Sequence, residues 1–296
     1  MTVLFYWVGV SLAILSGILN NFGTVLQKKV VNEFSGDAKF MRKIVRNPLW
    51  ILGLIFGLGI GSIFFLIAQI FIGPALVPGL MASGLIILAI GSVKLVGESL
   101  KTKEIIGILI MIFAIFLLGI SGLSIDIADT NLLEAFFIIR ITIFTCSLAI
   151  LSILCHIFQK RIEIYRGILL AILSGFMYSL SNFWVSPLMA VITHVFSGNF
   201  ELLELILFII SAIILILSNT LGIITITHAF RVGQASNLVP IQQVPIQITP
   251  IIVYLLIFLL IPPNVFSIVY LILGVILILI SSLLLGKRQV QIEKIK

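Results

Sequence analysis

Hydrogen-bonding side chains occur at intervals inside segments of this chain that are otherwise almost entirely apolar. Polar groups in hydrocarbon are costly, so they usually face the interior of a helix bundle or a water-filled cavity. The pattern predicts a cavity that recognises a polar solute; the alternative is hydrogen bonding between helices, worth ~0.6 kcal/mol per pair. The predicted substrate-binding residues are Asn20, Asn21, Gln69, Tyr178, Asn182, Trp184, Asn219, His228, Gln242, Gln243 and Gln247.

Residue patterns that carry catalysis or bind metal ions are missing from the sequence. No Asp or Glu lies clearly in the middle of an apolar segment, and there is no HExxH zinc motif. An intramembrane enzyme would need such a cluster, so we expect no enzymatic activity, no catalytic residue and no cofactor. Mg²⁺ usually takes carboxylate ligands, so we also expect no metal site built from side chains, although amides and carbonyls could hold a hydrated ion.

The elements that must position these residues are membrane-spanning helices. The chain is 61% hydrophobic and 10% charged, whereas a soluble domain carries about 25% charged residues. Several apolar stretches exceed the ~20 residues that a helix needs to cross a bilayer. We predict an all-α integral membrane protein with nine spans, at about 4–26, 49–72, 75–97, 105–123, 132–157, 167–191, 203–230, 235–261 and 265–286.

The basic residues predict how the spans are oriented. With nine spans, every Lys and Arg except Arg140 falls on one side, in the loop 28–48, around 94–103 and 160–166, at Arg231 and in the tail. We expect the chain to lie in the plasma membrane. The positive-inside rule then places its N-terminus outside the cell and its C-terminus in the cytoplasm. Because topology accounts for the net charge of +7, no nucleic-acid partner is expected.

Two residues near the ends of spans have alternative interpretations. Arg140 lies about nine residues into span five, where it either extends outward toward Asp126 or Asp129 or adds charge to the cavity. His228 lies near the cytoplasmic end of span seven, where it is either an interfacial residue or part of a proton relay.

A repeated stretch indicates an internal duplication. GVSLAILSG at 9–17 recurs as GILLAILSG at 167–175, and GPALVP at 73–78 recurs as GQASNLVP at 233–240. Five spans lie from the start of span one to the start of span six, so the two copies run in opposite directions. We predict two inverted four-helix repeats, at 1–124 and 166–296, joined by a linker helix within 125–165; the second includes a short cytoplasmic tail. Such repeats are typical of secondary transporters.

The quoted stretches carry a family resemblance over nearly the whole chain. GPALVPGLMASGLIILAIGSVKLVGESL and HAFRVGQASNLVPIQQVPIQITP resemble matching parts of the drug/metabolite transporter superfamily, in its EamA-like and NIPA-like nine-span members. LAILSGILNNFGTVLQKKV is similar to the opening of NIPA-type magnesium transporters. The acidic residue that small-multidrug-resistance proteins carry in span one is absent, since the corresponding region reads ILNNFG.

The resemblance implies a secondary transporter that moves a small polar or amphiphilic metabolite by alternating access. The alternative within the same superfamily is a NIPA-type magnesium transporter. A lipid-handling or scaffold protein without transport activity is a further alternative, which the amide-rich spans disfavour. The expected partners are the small-molecule or ion substrate and the lipid bilayer, with the chain a monomer or a homodimer.

Overall fold

The computed structural model describes residues 3–36, 39–72, 77–123, 134–198 and 200–295, and every regular element in these ranges is helical. Short π-helical segments lie at Ile55–Gly61, Ser92–Val96 and Val253–Ile257, and a 3₁₀ turn lies at Glu163–Tyr165. The α-helices are, in chain order, α1 (Val3–Phe34), α2 (Phe40–Ile44), α3 (Pro48–Leu54), α4 (Ser62–Ile72), α5 (Val77–Met81), α6 (Gly84–Gly91), α7 (Thr102–Ile120), α8 (Ala135–Arg161), α9 (Arg166–Ser197), α10 (Leu202–Val232), α11 (Ala235–Ile252) and α12 (Val265–Ile295).

Within the described ranges, nine helical segments are long and apolar enough to cross a membrane, which confirms the predicted number of spans. The architecture is that of a multi-pass membrane protein. The segments are Phe5–Phe34, Pro48–Ile72, Val77–Val96, Thr102–Ile120, Ala135–Arg161, Glu163–Ser197, Leu202–Val232, Ala235–Ile257 and Val265–Lys294.

Apolar side chains that are largely exposed among the described residues fit this architecture. On α10, isoleucines at three- and four-residue spacing form one stripe, and Ile206, Ile209, Ile213 and Ile216 are each exposed over 42% or more of their surface. In a soluble protein such a stripe would be an aggregation site, whereas in a bilayer it faces lipid.

Helix ends are the main difference between the predicted and the observed spans. The sequence predicted a loop from residue 28, but α1 continues to Phe34, so Lys28 and Lys29 are helical. The predicted end of span nine at 286 is also too early, because α12 runs on to Ile295. In the first extension the Lys28 ammonium is buried and donates to carbonyls far along the chain.

The chain packs as two compact units that differ from the predicted division into repeats. The first unit contains residues 1–124, 227–241 and 262–296, and the second contains 125–226 and 242–261. Units of packing and units of sequence repetition are different properties, so the predicted repeats stay a prediction. Helices α10 and α11 contribute residues to both units.

In the first unit, α1 is packed so closely against span three that a side chain would not fit. A Cβ atom on Gly17 would clash with the Met81 carbonyl, and one on Gly84 would clash with the Gly17 carbonyl. Such backbone contact is the use of small residues in membrane helices, where apolar burial alone gives no drive for association. Helices α7 and α12 also pack together in this unit, where Ser281 Oγ donates to the Gly107 carbonyl at 2.7 Å.

In the second unit, aromatic side chains join α8 to α9. The Phe144 and Phe183 rings meet edge to face at 4.8 Å, and Phe183 makes a similar contact with Trp184 at 5.9 Å. The Trp184 indole N–H donates to Thr145 Oγ1 at 3.2 Å, which gives the polar end of a buried ring its partner. These contacts hold the middle of α9 against α8.

The two copies of the repeated stretch make corresponding contacts, each inside its own unit. Ser16 Oγ donates to the Gly61 carbonyl of span two at 2.7 Å, and Ser174 Oγ donates to the Gly222 carbonyl of span seven at 2.8 Å. Gly17 closes against span three, and Gly175 lies where a Cβ would clash with Pro245 of span eight.

Spans three and eight also share a feature at their ends. Each finishes in a five-residue π-helical segment, Ser92–Val96 in span three and Val253–Ile257 in span eight. Residues 73–76, which belong to the first copy of the second repeated stretch, lie outside the described residues. The correspondence therefore rests on the helix contacts and on these segments.

Candidate functional site

A strip of polar side chains runs through the second unit on three neighbouring helices. On α9, Ser174, Tyr178 and Ser181 are spaced four and three residues apart, so they lie on one face. Helix α10 adds Asn219, and α11 adds Gln242. We call these five residues the polar strip.

Hydrogen bonds connect most of the polar strip. Gln242 Nε2 donates to Ser174 Oγ at 2.8 Å, and that hydroxyl donates onward to the Gly222 carbonyl. Asn219 Nδ2 donates to Ser181 Oγ at 2.5 Å and to the Leu215 carbonyl at 3.0 Å. Both N–H donors of Asn219 and one of Gln242 are thus engaged, which holds the two amides in fixed orientations inside an apolar helix bundle.

Tyr178 is the member of the polar strip whose hydroxyl has no hydrogen-bond partner among the described residues. Its half-buried ring lies against Gly222, where a Cβ would come within 3.2 Å of the ring carbons. Among the described residues, no group makes a hydrogen bond with its hydroxyl. A phenol can both donate and accept, so this hydroxyl is suited to bind a solute at the strip.

Three of the sequence-predicted residues, Tyr178, Asn219 and Gln242, are therefore brought together. The other predicted residues of the second unit are placed apart from the strip's hydrogen bonds. Asn182 is exposed, Trp184 is buried in the aromatic contact with α8, and Gln247 Nε2 donates to Gln243 Oε1 at 3.2 Å.

The remaining predicted residues belong to the first unit. Asn21 is buried and donates to the Gly17 carbonyl at 2.9 Å, whereas Asn20 is exposed. Gln69 is half-buried on α4. The His228 ring contacts the Phe40 ring at 5.6 Å, which places it beside the short helix α2. These four residues do not form a common hydrogen-bonded group within the described residues.

Arg140 is held by backbone carbonyls. Its Nη1 donates to the Ile257 carbonyl at 2.7 Å and its Nε to the Phe136 carbonyl at 3.2 Å, with the guanidinium 5.7 Å from the Phe137 ring centre. Ile257 ends the π-helical segment of span eight, so Arg140 satisfies a carbonyl at a helix end. Its predicted partners, Asp126 and Asp129, lie outside the described residues.

A buried charged group in the first unit was not predicted as a site. Lys28 Nζ donates to the carbonyls of Phe230 and Gly233 at 2.5 and 2.6 Å, near the C-terminal end of α10. Glu98 accepts from the Ala235 and Ser236 amides at 2.7 and 3.1 Å, at the start of α11. Each charge matches the partial charge of the helix end that it contacts.

A second pair of charges lies beside the first. Glu104 has 1% of its side-chain surface exposed; it accepts from Asn237 Nδ2 at 2.8 Å and lies 3.7 Å from Arg288 Nε. Gln289 is fully buried, and its Oε1 accepts from the Gln234 amide at 3.3 Å. The turn between α10 and α11 is thus held by side chains from α1, α7, α12 and the segment after span three.

The sequence held only weak signals for these residues. Glu98 and Glu104 stand out as acids in a region that is otherwise basic, but Lys28 looks like one of many basic residues at a span end. Ser174 was visible only as part of the repeated stretch. The hydrogen bonds that Lys28, Glu98 and Glu104 make with the α10–α11 turn join residues 133 to 205 positions apart, which no local pattern encodes.

No group of three or more His, Cys, Asp and Glu residues within the described ranges is placed to hold a metal ion. Comparison with protein-family models, with curated proteins and with solved structures finds no match to this chain.

Proposed function

We propose that this chain is a secondary transporter for a small, uncharged polar or amphiphilic metabolite. The observation that carries the proposal is the polar strip of the second unit, in which the Tyr178 hydroxyl is left without a partner among the described residues while its neighbours are hydrogen-bonded. Buried polar groups inside membrane helices commonly mark a substrate pathway.

The composition of the strip supports an uncharged solute. Its five side chains are hydroxyls and amides, and none carries a formal charge. A charged solute is usually met by an opposite charge, because an unpaired ion in a bundle of low polarity is very costly. Hydroxyls and amides instead match a solute that offers its own hydroxyl, amide or ether groups.

Alternating access between two inverted repeats, joined by span five, is the mechanism that we propose. It is supported by the corresponding contacts of Ser16 and Ser174, by the close packing at Gly17 and Gly175, and by the π-helical ends of spans three and eight. Transporters built from such repeats bind substrate near the middle of the membrane. The distribution of basic residues supports an outside N-terminus and a cytoplasmic C-terminus in the plasma membrane.

Ligand-dependent stabilisation in detergent is the first experiment, because a molecule that binds only the folded state raises the melting temperature by mass action. Neutral amino acids, sugars, nucleosides and polyols are compared with MgCl₂ at matched ionic strength. The best organic ligand is then radiolabelled and its uptake is measured in proteoliposomes, with a magnesium-sensitive dye in parallel vesicles. Uptake of the organic ligand supports the proposal. Magnesium flux with no organic uptake overturns the proposal and supports the NIPA-type alternative. The absence of both fluxes also overturns the proposal.

The Asn219→Leu variant tests whether the polar strip is the site. It removes the amide that holds Ser181, so we expect uptake to fall at least tenfold. Thr220→Val is the matched control on the same helix, since Thr220 is exposed and donates only to the Ile216 carbonyl of its own helix. Equal uptake by the wild type and Asn219→Leu would remove the strip from the proposal.

A further inference from the structure

Described residues of the connection between α1 and α3 line an open pocket that is rich in basic side chains. The pocket has a volume of about 450 Å³, and its described lining includes no acidic residue. None of the predicted substrate-binding residues contributes to it. Its lining includes Phe34, Lys39, Arg42, Lys43, Arg46 and Asn47.

Packing of the short helix α2 forces these cations to the surface. Phe40 and Ile44, four residues apart, are buried at 3% and 0% exposure, so the opposite face of α2 must point outward. The Phe40 ring packs against the His228 ring and against the Arg231 guanidinium, which lies 4.9 Å from the centre of the Phe40 ring. The basic face is therefore held in place by a buried anchor.

Side chains at the two ends of the connection shape the rest of the pocket. Lys43 Nζ lies 5.7 Å from the Phe34 ring centre, at the last residue of α1. Asn47 Oδ1 accepts from the Leu49 amide at 2.9 Å, which fixes the start of span two. Within the described residues, Lys39, Arg42 and Arg46 make no ion pair with a carboxylate.

The pocket lies where two neighbouring spans end. Phe34 closes candidate span one and Pro48 opens candidate span two, so the basic residues lie between the ends of two spans. In a bilayer, such a connection lies at the level of the lipid headgroups. Clusters of four or more basic residues directly beside a membrane helix attract anionic lipids. Arginine adds a planar fork that matches phosphate oxygens in pairs.

We propose that this pocket binds the phosphate group of an anionic membrane lipid, with Arg42 and Arg46 as its main contacts. Lys39 and Lys43 add positive charge, and the exposed Val45 side chain gives the acyl chains an apolar neighbour. A bound lipid phosphate reduces the mutual repulsion of Lys39, Arg42 and Arg46 and so stabilises the connection between spans one and two. This inference does not depend on what the protein transports.

Titration in an uncharged detergent tests the proposal. Melting temperature and native mass spectrometry are recorded with dioctanoyl phosphatidylglycerol, dioctanoyl phosphatidylcholine and sodium phosphate, each at the same ionic strength. We expect saturable binding of phosphatidylglycerol that weakens as salt is added, with much weaker binding of phosphatidylcholine. If sodium phosphate gives the same stabilisation, the pocket binds phosphate from a soluble ligand, and the assignment to lipid is overturned.

The Arg42→Gln/Arg46→Gln variant should weaken phosphatidylglycerol binding by a factor of about 30, since two cations near the membrane surface are removed. Arg161→Gln/Arg166→Gln is the matched control, because it removes the same two charges from exposed positions at the end of α8 and the start of α9. An equal loss in both variants would show general attraction to the anionic lipid and would overturn the pocket as a specific site. Unchanged phosphatidylglycerol binding by Arg42→Gln/Arg46→Gln would also overturn the pocket as a specific site.

Discussion

The Lys28 ammonium lies 3.9 Å from the Glu98 carboxylate, with 5% and 4% of the two side-chain surfaces exposed. Between them they satisfy two carbonyls at the end of α10 and two amides at the start of α11. A buried charge that loses its partner is strongly destabilising, whereas loss of both partners together is far less so. The pair therefore acts as one unit that holds the α10–α11 turn.

Single substitutions in this pair should be costly. We expect Lys28→Met or Glu98→Gln to lower the free energy of unfolding by about 3 to 5 kcal/mol, because the remaining buried charge loses its nearby opposite charge. The double variant should lose clearly less than the sum of the two single losses. Denaturant titration in detergent measures all three. Lys29→Met is the control, since Lys29 is exposed and should tolerate the change.

Losses of stability are expected at both serines of the repeated stretch. Ser16→Ala removes one hydrogen bond to a glycine carbonyl in the next span, which should cost between ~0.6 and ~1.7 kcal/mol of unfolding free energy. Ser174→Ala removes the corresponding bond and also the acceptor of Gln242 Nε2, so its loss should be larger. Ser11→Ala changes an exposed position of the first copy and should be nearly neutral. A large loss at one serine together with none at the other would mean that the two contacts are not equivalent.

The close approach of α1 to span three should make Gly17 intolerant of any side chain. In Gly17→Ala the new methyl group clashes with the backbone of Met81, which cannot move as a flexible side chain can. We expect a loss of about 1 to 3 kcal/mol, as for overpacking in a core. Gly59→Ala is the control on span two, where a Cβ has room and better helix propensity applies. Melting temperatures of the two variants in detergent give the comparison.

Removal of the Tyr178 hydroxyl should change transport without changing the fold. Since no described group binds this hydroxyl, Tyr178→Phe should keep the wild-type melting temperature in the absence of ligand. Uptake of the ligand found in the stabilisation screen should show a KM raised about two- to tenfold, as expected for one lost hydrogen bond. Tyr270→Phe, the same chemical change on α12, should leave KM unaltered. An unchanged KM in Tyr178→Phe would place the substrate elsewhere.

Much of the fold could be predicted from the sequence because the lengths of apolar runs determine which helices can cross a bilayer. The number of spans followed directly from those lengths. The ends of α1 and α12 did not follow from those lengths. For α1 the reason is that basic residues normally mark the membrane surface, whereas Lys28 is buried and donates to the carbonyls of Phe230 and Gly233. Local charge patterns cannot reveal a partner that lies 202 residues away.

The candidate site was predicted in part for a similar reason. Tyr178, Asn219 and Gln242 stood out as polar residues in apolar helices, and the structure gathers them with Ser174 and Ser181. Asn182 and Trp184 have equally suggestive types, yet one is exposed and the other packs on α8. Which face of a helix meets its neighbours depends on the packing of all the spans, and residue type alone does not determine it.

The segmental make-up of the first unit has a consequence for biosynthesis. The Lys28 ammonium binds the carbonyls of Phe230 and Gly233, which are synthesised about 200 residues after the lysine. At ~5 to 20 residues per second this means a delay of about 10 to 40 s. Residues 262–296 of the same unit emerge later still. The earliest helices to enter the membrane must therefore wait for the carbonyls and amides that Lys28 and Glu98 bind at the α10–α11 turn until most of the protein has left the ribosome.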